Sequence, residues 1–219
     1  MYGAYILTDA GFPFITPASS PLAMISKKTA TMVSNGHSEI TQNFEAGNPI
    51  IPFVVATAGA KFYYTISSNT CVVSADKPEQ SGATYTVYFF TIFTQPLPKW
   101  GMAIWDANGR CILTNETRVL TDVTPIGING DDSNSGYNIN TTLTGKWAVI
   151  PSQTGLGTGV ITDGGTRPWS SEFSLKAVFN GSSTLIGQNA TDSASGNIQN
   201  LTYHNMRNRA FIINAAKYD

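Results

Sequence analysis

No window of about 12 residues in this chain carries apolar side chains at i, i+3, i+4 and i+7 between helix caps. The sequence consists instead of short alternating or continuous apolar runs rich in Val, Ile, Thr, Tyr and Phe, cut by Gly, Pro, Asn, Asp and Ser every 8 to 12 positions. A chain patterned this way folds as an all-β protein, and antiparallel β-sandwich modules are the architecture expected. Strands are predicted over 2–7, 50–56, 61–67, 71–75 and 84–93, and again over 101–106, 111–114, 147–150, 173–179 and 210–215. The run 84–93 is unusual. Its odd positions Tyr85, Val87, Phe89 and Phe93 make one apolar face, and Tyr88, Phe90 and Ile92 make the other face apolar as well. An antiparallel strand with one wet face does not read like this, so the run lies inside a sandwich or its second face meets another chain.

Two hairpins are legible. In Met102 to Leu113, Asn108-Gly109 separates two apolar runs and predicts a type I′ turn, because both central residues must take positive φ. Near the N-terminus, Asp9-Ala10-Gly11 fits a three-residue loop with Gly11 in the left-handed position. The two segments align without a gap at an offset of 98, sharing the pattern [YW]-G-x-x-I-x(4)-G-x-x-[FI]-[IL]-T-x(5)-L. Either two related modules each open with such a hairpin, or one hairpin design recurs within a single sandwich. Pro96 and Pro98 cannot donate to a β-ladder, so a hinge is expected near 94–99, with an N-terminal docking module over 1–96 and a C-terminal module over 99–219. The segments 129–137, 153–166 and 180–200 are runs of Gly, Asn, Ser, Thr and Asp and read as long loops, so the second module should be the one that presents them.

Composition narrows the function classes. Lys plus Arg total 13 and Asp plus Glu 14, a net charge of −1, which provides no electrostatic basis for a nucleic-acid partner. Charged residues are 12% of the chain, about half the usual share, whereas Ser, Thr and Asn fill 62 positions, so the surface is neutral and hydrogen-bonding. At 42% hydrophobic and 11% aromatic the chain is too apolar for disorder. The first residues show no basic stretch leading into an apolar one, and the longest apolar run, 49–60, is too short to span a bilayer, so neither a signal peptide nor membrane insertion is expected. Cys71 and Cys111 are too few and too far apart for a disulfide framework or a zinc site and read as two buried thiols. Five Asn-x-Ser/Thr sequons occur, against about three or four expected by chance in so Asn- and Thr-rich a chain.

No catalytic constellation emerges. His37 and His204 lack a second ligand at metal spacing, and no metal or cofactor is expected. The run Gly155-Leu156-Gly157-Thr158-Gly159 lacks the following helix that a phosphate loop requires, and Asp131-Asp132-Ser133-Asn134 lacks the downstream carboxylate of a calcium loop. The chain is read as a non-enzyme. Its four Trp and nine Tyr suit sugar stacking or protein interfaces. Tyr137 and Trp169 sit in polar segments and are the candidate ligand or receptor contacts, whereas Trp105 and Trp147 lie in strand patterns and are expected in the core.

The opening Tyr2-Gly3-x-x-Ile6-x(4)-Gly11, and the stretch Trp100-Gly101-Met102-Ala103-Ile104-Trp105-Asp106-Ala107-Asn108-Gly109, resemble the small all-β virion proteins of lambda-like tailed bacteriophages, whose hairpin signature is W-G-[LM]-x-[IV]-[WF]-[DN]-x-x-G. The likeness covers about a quarter of the chain. It implies no catalytic residues. It implies a tail-tip or tail-fibre-associated protein that assembles with larger tail proteins, as a trimer or hexamer, made in the bacterial cytoplasm and located in the virion tail. A receptor- or carbohydrate-binding module of the tail, with a host surface glycan as ligand, and a capsid decoration protein are the alternatives.

Overall fold

The computed structural model describes residues 6–7, 13–15, 20–33, 36–190 and 197–219. Within them the fold is all-β, with 3₁₀ turns at Gly136–Asn138 and Ala215–Tyr218 as the helical pieces. Strands β1 (Ile6–Leu7) and β2 (Pro13–Ile15) make one hairpin. There follow β3 (Ala23–Thr31), β4 (His37–Asn43), β5 (Ile50–Ala56), β6 (Lys61–Ser67), β7 (Thr70–Asp76) and β8 (Thr84–Thr91). Strands β9 (Ala103–Trp105) and β10 (Cys111–Thr114) form a second hairpin. The remainder is β11 (Thr124–Ile126), β12 (Asn140–Thr144), β13 (Trp147–Val149), β14 (Gln153–Ile161), β15 (Arg167–Phe179), β16 (Ser183–Ala190), β17 (Ile198–Asn205) and β18 (Ala210–Asn214).

Three strands, in the order β4-β7-β6, form a small antiparallel sheet. The large sheet has 11 strands along the path β11-β18-β13-β5-β15-β14-β17, with β8 and β3 branching from β5, and β16 and β12 from β15. Among the described strands β3 pairs with β8, with one bridge from Ala23 to Val119 at its start, and Lys27 and Lys28 further along are the charges expected of a strand that must not recruit another edge.

β5 and β8 explain the layering. Tyr85, Val87 and Phe89 join Val54 and Ala56 in a core shared with Ile40, Phe62, Cys71 and Val73 of the small sheet. Tyr88 and Phe90 join Phe53 and Val55 in a second core with Ala148, Leu175, Ile186, Ile212 and Tyr218. The doubly apolar strand therefore lies inside the molecule, with a packed layer on each face. Each such buried Val, Phe or Ile contributes about 1.5–3 kcal/mol of transfer free energy. Phe90 anchors its side through edge-to-face contacts with Phe53, centroids 5.7 Å apart, and Tyr218, 4.9 Å apart. Both thiols, Cys71 and Cys111, are buried and free, and burial pushes the Cys71 thiol up to about 11.

The expected division near 94–99 does not separate the sheet. β5 precedes that segment, yet it pairs with β13 at Val54↔Val149 and, in parallel, with β15 at Ala56↔Val178. The reason is the composition of β5 and β8: with both faces apolar, they need a cover on each side, and residues beyond 139 supply the second one.

The expected long loops are also corrected in part. The segment 129–137 is a loop that runs into the 3₁₀ turn, but 153–161, 183–190 and 198–205 are strands β14, β16 and β17. β15 begins at Arg167, six residues before the predicted start, because β14 extends its ladder in that direction.

The two hairpins agree in register as well as in sequence. Ile6 faces Ile15 and Leu7 faces Pro13; 98 positions later Ile104 faces Leu113 and Trp105 faces Cys111. Both ladders shift register between those two pairs. The turn itself differs from expectation in the second hairpin. Only Gly109 of the Asn-Gly pair takes positive φ, at 77°. The Asp106 carboxylate accepts the N–H groups of Asn108 and Arg110, each at 2.9 Å, and the Gly109 N–H donates to the Asp106 carbonyl at 3.1 Å. Capping by Asp106 holds Asn108 outside the left-handed region that a type I′ turn requires, leaving a three-residue loop closed by the glycine. The corresponding loop at Asp9-Ala10-Gly11 lies outside the described residues.

Candidate functional site

Two surfaces among the described residues gather several aromatic side chains: the second hairpin with the segment before it, and one face of β14.

In the hairpin, β10 is buried along its whole length, whereas β9 is the outer, more open strand. Ile104 turns inward onto a small cluster with Ile112, Leu113 and Val119. Trp105 is 53% exposed, contrary to the core position expected of it, because it ends the three-residue outer strand β9, which pairs with β10 in a sheet of two strands. Trp100 is 87% exposed, and Leu97 and Met102 are exposed beside them in the chain. Trp147, by contrast, packs half-buried against the second core, and its indole N–H donates to the Thr144 carbonyl at 2.8 Å. Asp106 stiffens the hairpin. Its carboxyl lies below the usual range, chiefly through the Arg110 backbone N–H and then the Arg110 guanidinium.

The second surface is built on glycine. Gly155, Gly157 and Gly159 alternate along β14, so one face of that strand carries no side chains there; rings from its neighbours occupy the space over Gly155 and Gly157, and Ile198 that over Gly159. Tyr137, from the 3₁₀ turn, lies so close over Gly155 that a methyl there would run into its ring. Trp169 from β15 and Tyr203 from β17 meet over Gly157, where a Cβ would stand 3.5 Å and 3.4 Å away. Phe173 links the set, its ring centroid 5.5 Å from Tyr137 and 6.0 Å from Tyr203. The structure thus brings the two predicted contact residues, Tyr137 and Trp169, to the same face of one strand. Both are partly buried, and Tyr203 is the most open ring at 54%. Sequence reasoning missed Tyr203 and Phe173. The signal that could have found them is the period-two spacing of the glycines, which puts all three on one strand face.

Polar groups border these rings. Arg207 forms a two-point ion pair with Asp132, Nη2 to Oδ2 at 2.7 Å and Nε to Oδ1 at 3.1 Å, and Asn205 donates to the same carboxylate at 3.0 Å. These partners, Arg207 first, hold the Asp132 carboxyl below its ordinary value. Asp131 is spent on its own turn, accepting from the backbone and hydroxyl of Ser133 at 2.8 Å each. Of the two histidines, His37 is clasped between Asp76 at 2.5 Å and Glu39 at 2.6 Å, which raises its pKa, and His204 is exposed on β17. Among the described residues no group of three or more His, Cys, Asp or Glu is placed to hold a metal ion, and no helix is long and apolar enough to cross a membrane.

Set against protein-family models, curated proteins and solved structures, the chain matches none of them.

Proposed function

We propose that this chain is a structural component of a tailed-bacteriophage virion, a tail-tip or tail-fibre-associated protein that assembles with larger tail proteins. The observation that carries the reading is the set of exposed apolar side chains Leu97, Trp100, Met102 and Trp105 in the second hairpin and the residues leading into it, the segment that holds the virion-protein resemblance. Tryptophans left in water on a stiff two-stranded sheet cost solvation free energy that a partner recovers, on the order of 1.5–3 kcal/mol for each large side chain buried. Large exposed side chains of this kind, two of them Trp, are the residue types enriched at the centre of protein–protein interfaces. Docking accordingly centres on the second hairpin, and symmetric assembly as a trimer or hexamer repeats it around the tail axis.

The test is quantitative mass spectrometry of purified particles. A copy number in threes or sixes, lost from particles when Trp100→Ala and Trp105→Ala are combined in a chain that still folds, supports the proposal. Hundreds of copies per particle would make it a capsid decoration protein. A second reading, a saccharide-binding tail module, draws on the rings of Tyr137, Trp169 and Tyr203 gathered over the glycine strand. Glycan-array binding abolished by Trp169→Ala would favour it.

A further inference from the structure

Among the described residues the two larger sheets end in six outer strands, β3, β11, β12 and β17 of the 11-stranded sheet and β4 and β6 of the three-stranded one. An outer strand offers its unpaired N–H and carbonyl groups to any extended chain that meets it, and five of these six carry a feature that blunts the offer. β3 has Lys27 and Lys28, β4 has Glu39 and β6 has Lys61. β11 has three residues, one of them Pro125. β12 has five, half-buried at alternate positions, and the Thr144 carbonyl at its end is taken by the Trp147 indole at 2.8 Å.

β17 is made differently. It is eight residues long, holds no Lys, Arg, Asp, Glu or Pro, and is exposed from Gln199 to His204. Its inner side pairs with β14, and among the described residues no strand pairs with its outer side. The Met206 N–H donates to the Thr154 carbonyl at 3.1 Å, one position beyond the Asn205↔Gly155 pair. By antiparallel alternation the main-chain groups of His204 and Thr202 also face β14, and those of Tyr203 and Asn205 face outward. Toward the N-terminus the regular edge stops at a bulge, where Asn200, at a φ of 53°, and Leu201 stand opposite Gly159. At the other end the Asn205 amide is tied to Asp132 and Ser135. The stretch left open between them carries Leu201 and Tyr203, both exposed and two positions apart, so they share one face.

We infer that this edge pairs with the same edge of a second copy of the chain, antiparallel about a two-fold axis at Thr202. The occupant follows from what such an axis demands. It brings a strand against itself, so a charge near the centre would meet its own copy, and β17 is free of Lys, Arg, Asp and Glu. In this register Leu201 lies opposite Tyr203 of the second copy, twice, and Thr202 lies opposite Thr202. Aliphatic–aromatic and Thr–Thr pairs of this kind stabilise antiparallel ladders. The contact uses no residue of the second hairpin, so it stands or falls independently of docking there.

The experiment is sedimentation equilibrium of the full chain over a concentration series. A contact one strand wide lies at the small end of interface sizes, so a monomer–dimer equilibrium with a dissociation constant of about 10–100 μM is expected. Leu201→Lys sets two ammonium groups beside the axis and should weaken dimerisation at least about tenfold, with an unchanged melting temperature where both chains are monomeric. Thr202→Cys should form an intermolecular disulfide on mild oxidation, because its main-chain groups face β14 and the Cα atoms of such a non-hydrogen-bonded pair lie about 4.5 Å apart. Cys71 and Cys111 are buried and do not compete. Combined Trp100→Ala and Trp105→Ala should leave the dimer intact. The inference is overturned if the chain stays monomeric up to about 0.5 mM, which would leave the edge to a strand of another protein. It is equally overturned if folded Leu201→Lys dimerises like the parent, if the double tryptophan variant abolishes the dimer, or if Thr202→Cys fails to cross-link while the parent dimerises.

Discussion

β8 and β14 are both interior strands of the same sheet, and they are made in opposite ways. β8 fills its two faces with its own side chains, Tyr85, Val87 and Phe89 on one and Tyr88 and Phe90 on the other, all buried. β14 contributes little on the face where its glycines alternate, and Tyr137, Trp169 and Tyr203 are lent to it by neighbours. One strand is specified by what it contains, the other by the space it leaves. Disruption should therefore act in opposite directions: removing atoms harms β8, and adding them harms β14.

The largest effect is expected from Phe90→Ala. It deletes a fully buried ring and its contacts with Phe53 and Tyr218, and should destabilise the chain by about 3–5 kcal/mol in chemical denaturation. Next comes Gly155→Ala. The added methyl meets the Tyr137 ring and lies 2.9 Å from the His204 carbonyl oxygen, a loss of about 1–3 kcal/mol. Adding Tyr137→Ala should return part of that loss, and a double-mutant cycle with no coupling would break the account of β14. Gly157→Ala sharpens the same comparison, because its Cβ would sit at ordinary contact distance, 3.4 Å from Tyr203, on a backbone that is not left-handed. Stability should stay within about 1 kcal/mol of the parent, with a gain permitted by the reduced freedom of the unfolded chain.

The legible part of the fold follows the same contrast. β5, β6 and β10 match the predicted ranges because their apolar pattern is their own. β14 and β16 read as loops because Gly, Asn, Ser and Thr are frequent in them, and what makes them strands is ladder pairing on both sides, with β15 and β17 for β14 and with β15 and β12 for β16. Trp105 read as core because alternation marks a strand but not whether a second layer exists to cover it. At the candidate site, polar flanks singled out Tyr137 and Trp169 as exposed aromatics, and the structure leaves both partly buried. Nothing local to either residue indicated that both would lie along the same glycine strand.

The smallest effect expected belongs to the β8 side. Tyr88 donates its hydroxyl to Asp219 at 2.6 Å, and Lys146 and Lys27 reach the same carboxylate at 2.9 Å and 3.1 Å. Burial alone would raise the Asp219 pKa, but these three partners outweigh it and hold it at about 2. A carboxyl depressed in the folded state stabilises above its unfolded value near 3.8 and loses that contribution as pH falls toward 2. Stability should thus decline over that window, and Tyr88→Phe should move the Asp219 midpoint upward in an NMR titration. An unmoved midpoint would remove Tyr88 from the network.

The parallel pairing of Ala56 with Val178 joins residues that leave the ribosome 122 positions apart (178 − 56 = 122). At ordinary rates of synthesis that interval is roughly 6 to 25 s. Within it, from the synthesis of Phe90 until that of Leu175, the face formed by Phe53, Val55, Tyr88 and Phe90 has been translated but not its cover of Leu175, Ile186 and Ile212. The nascent chain carries an adhesive surface for that time, open to aggregation until the distal strands arrive.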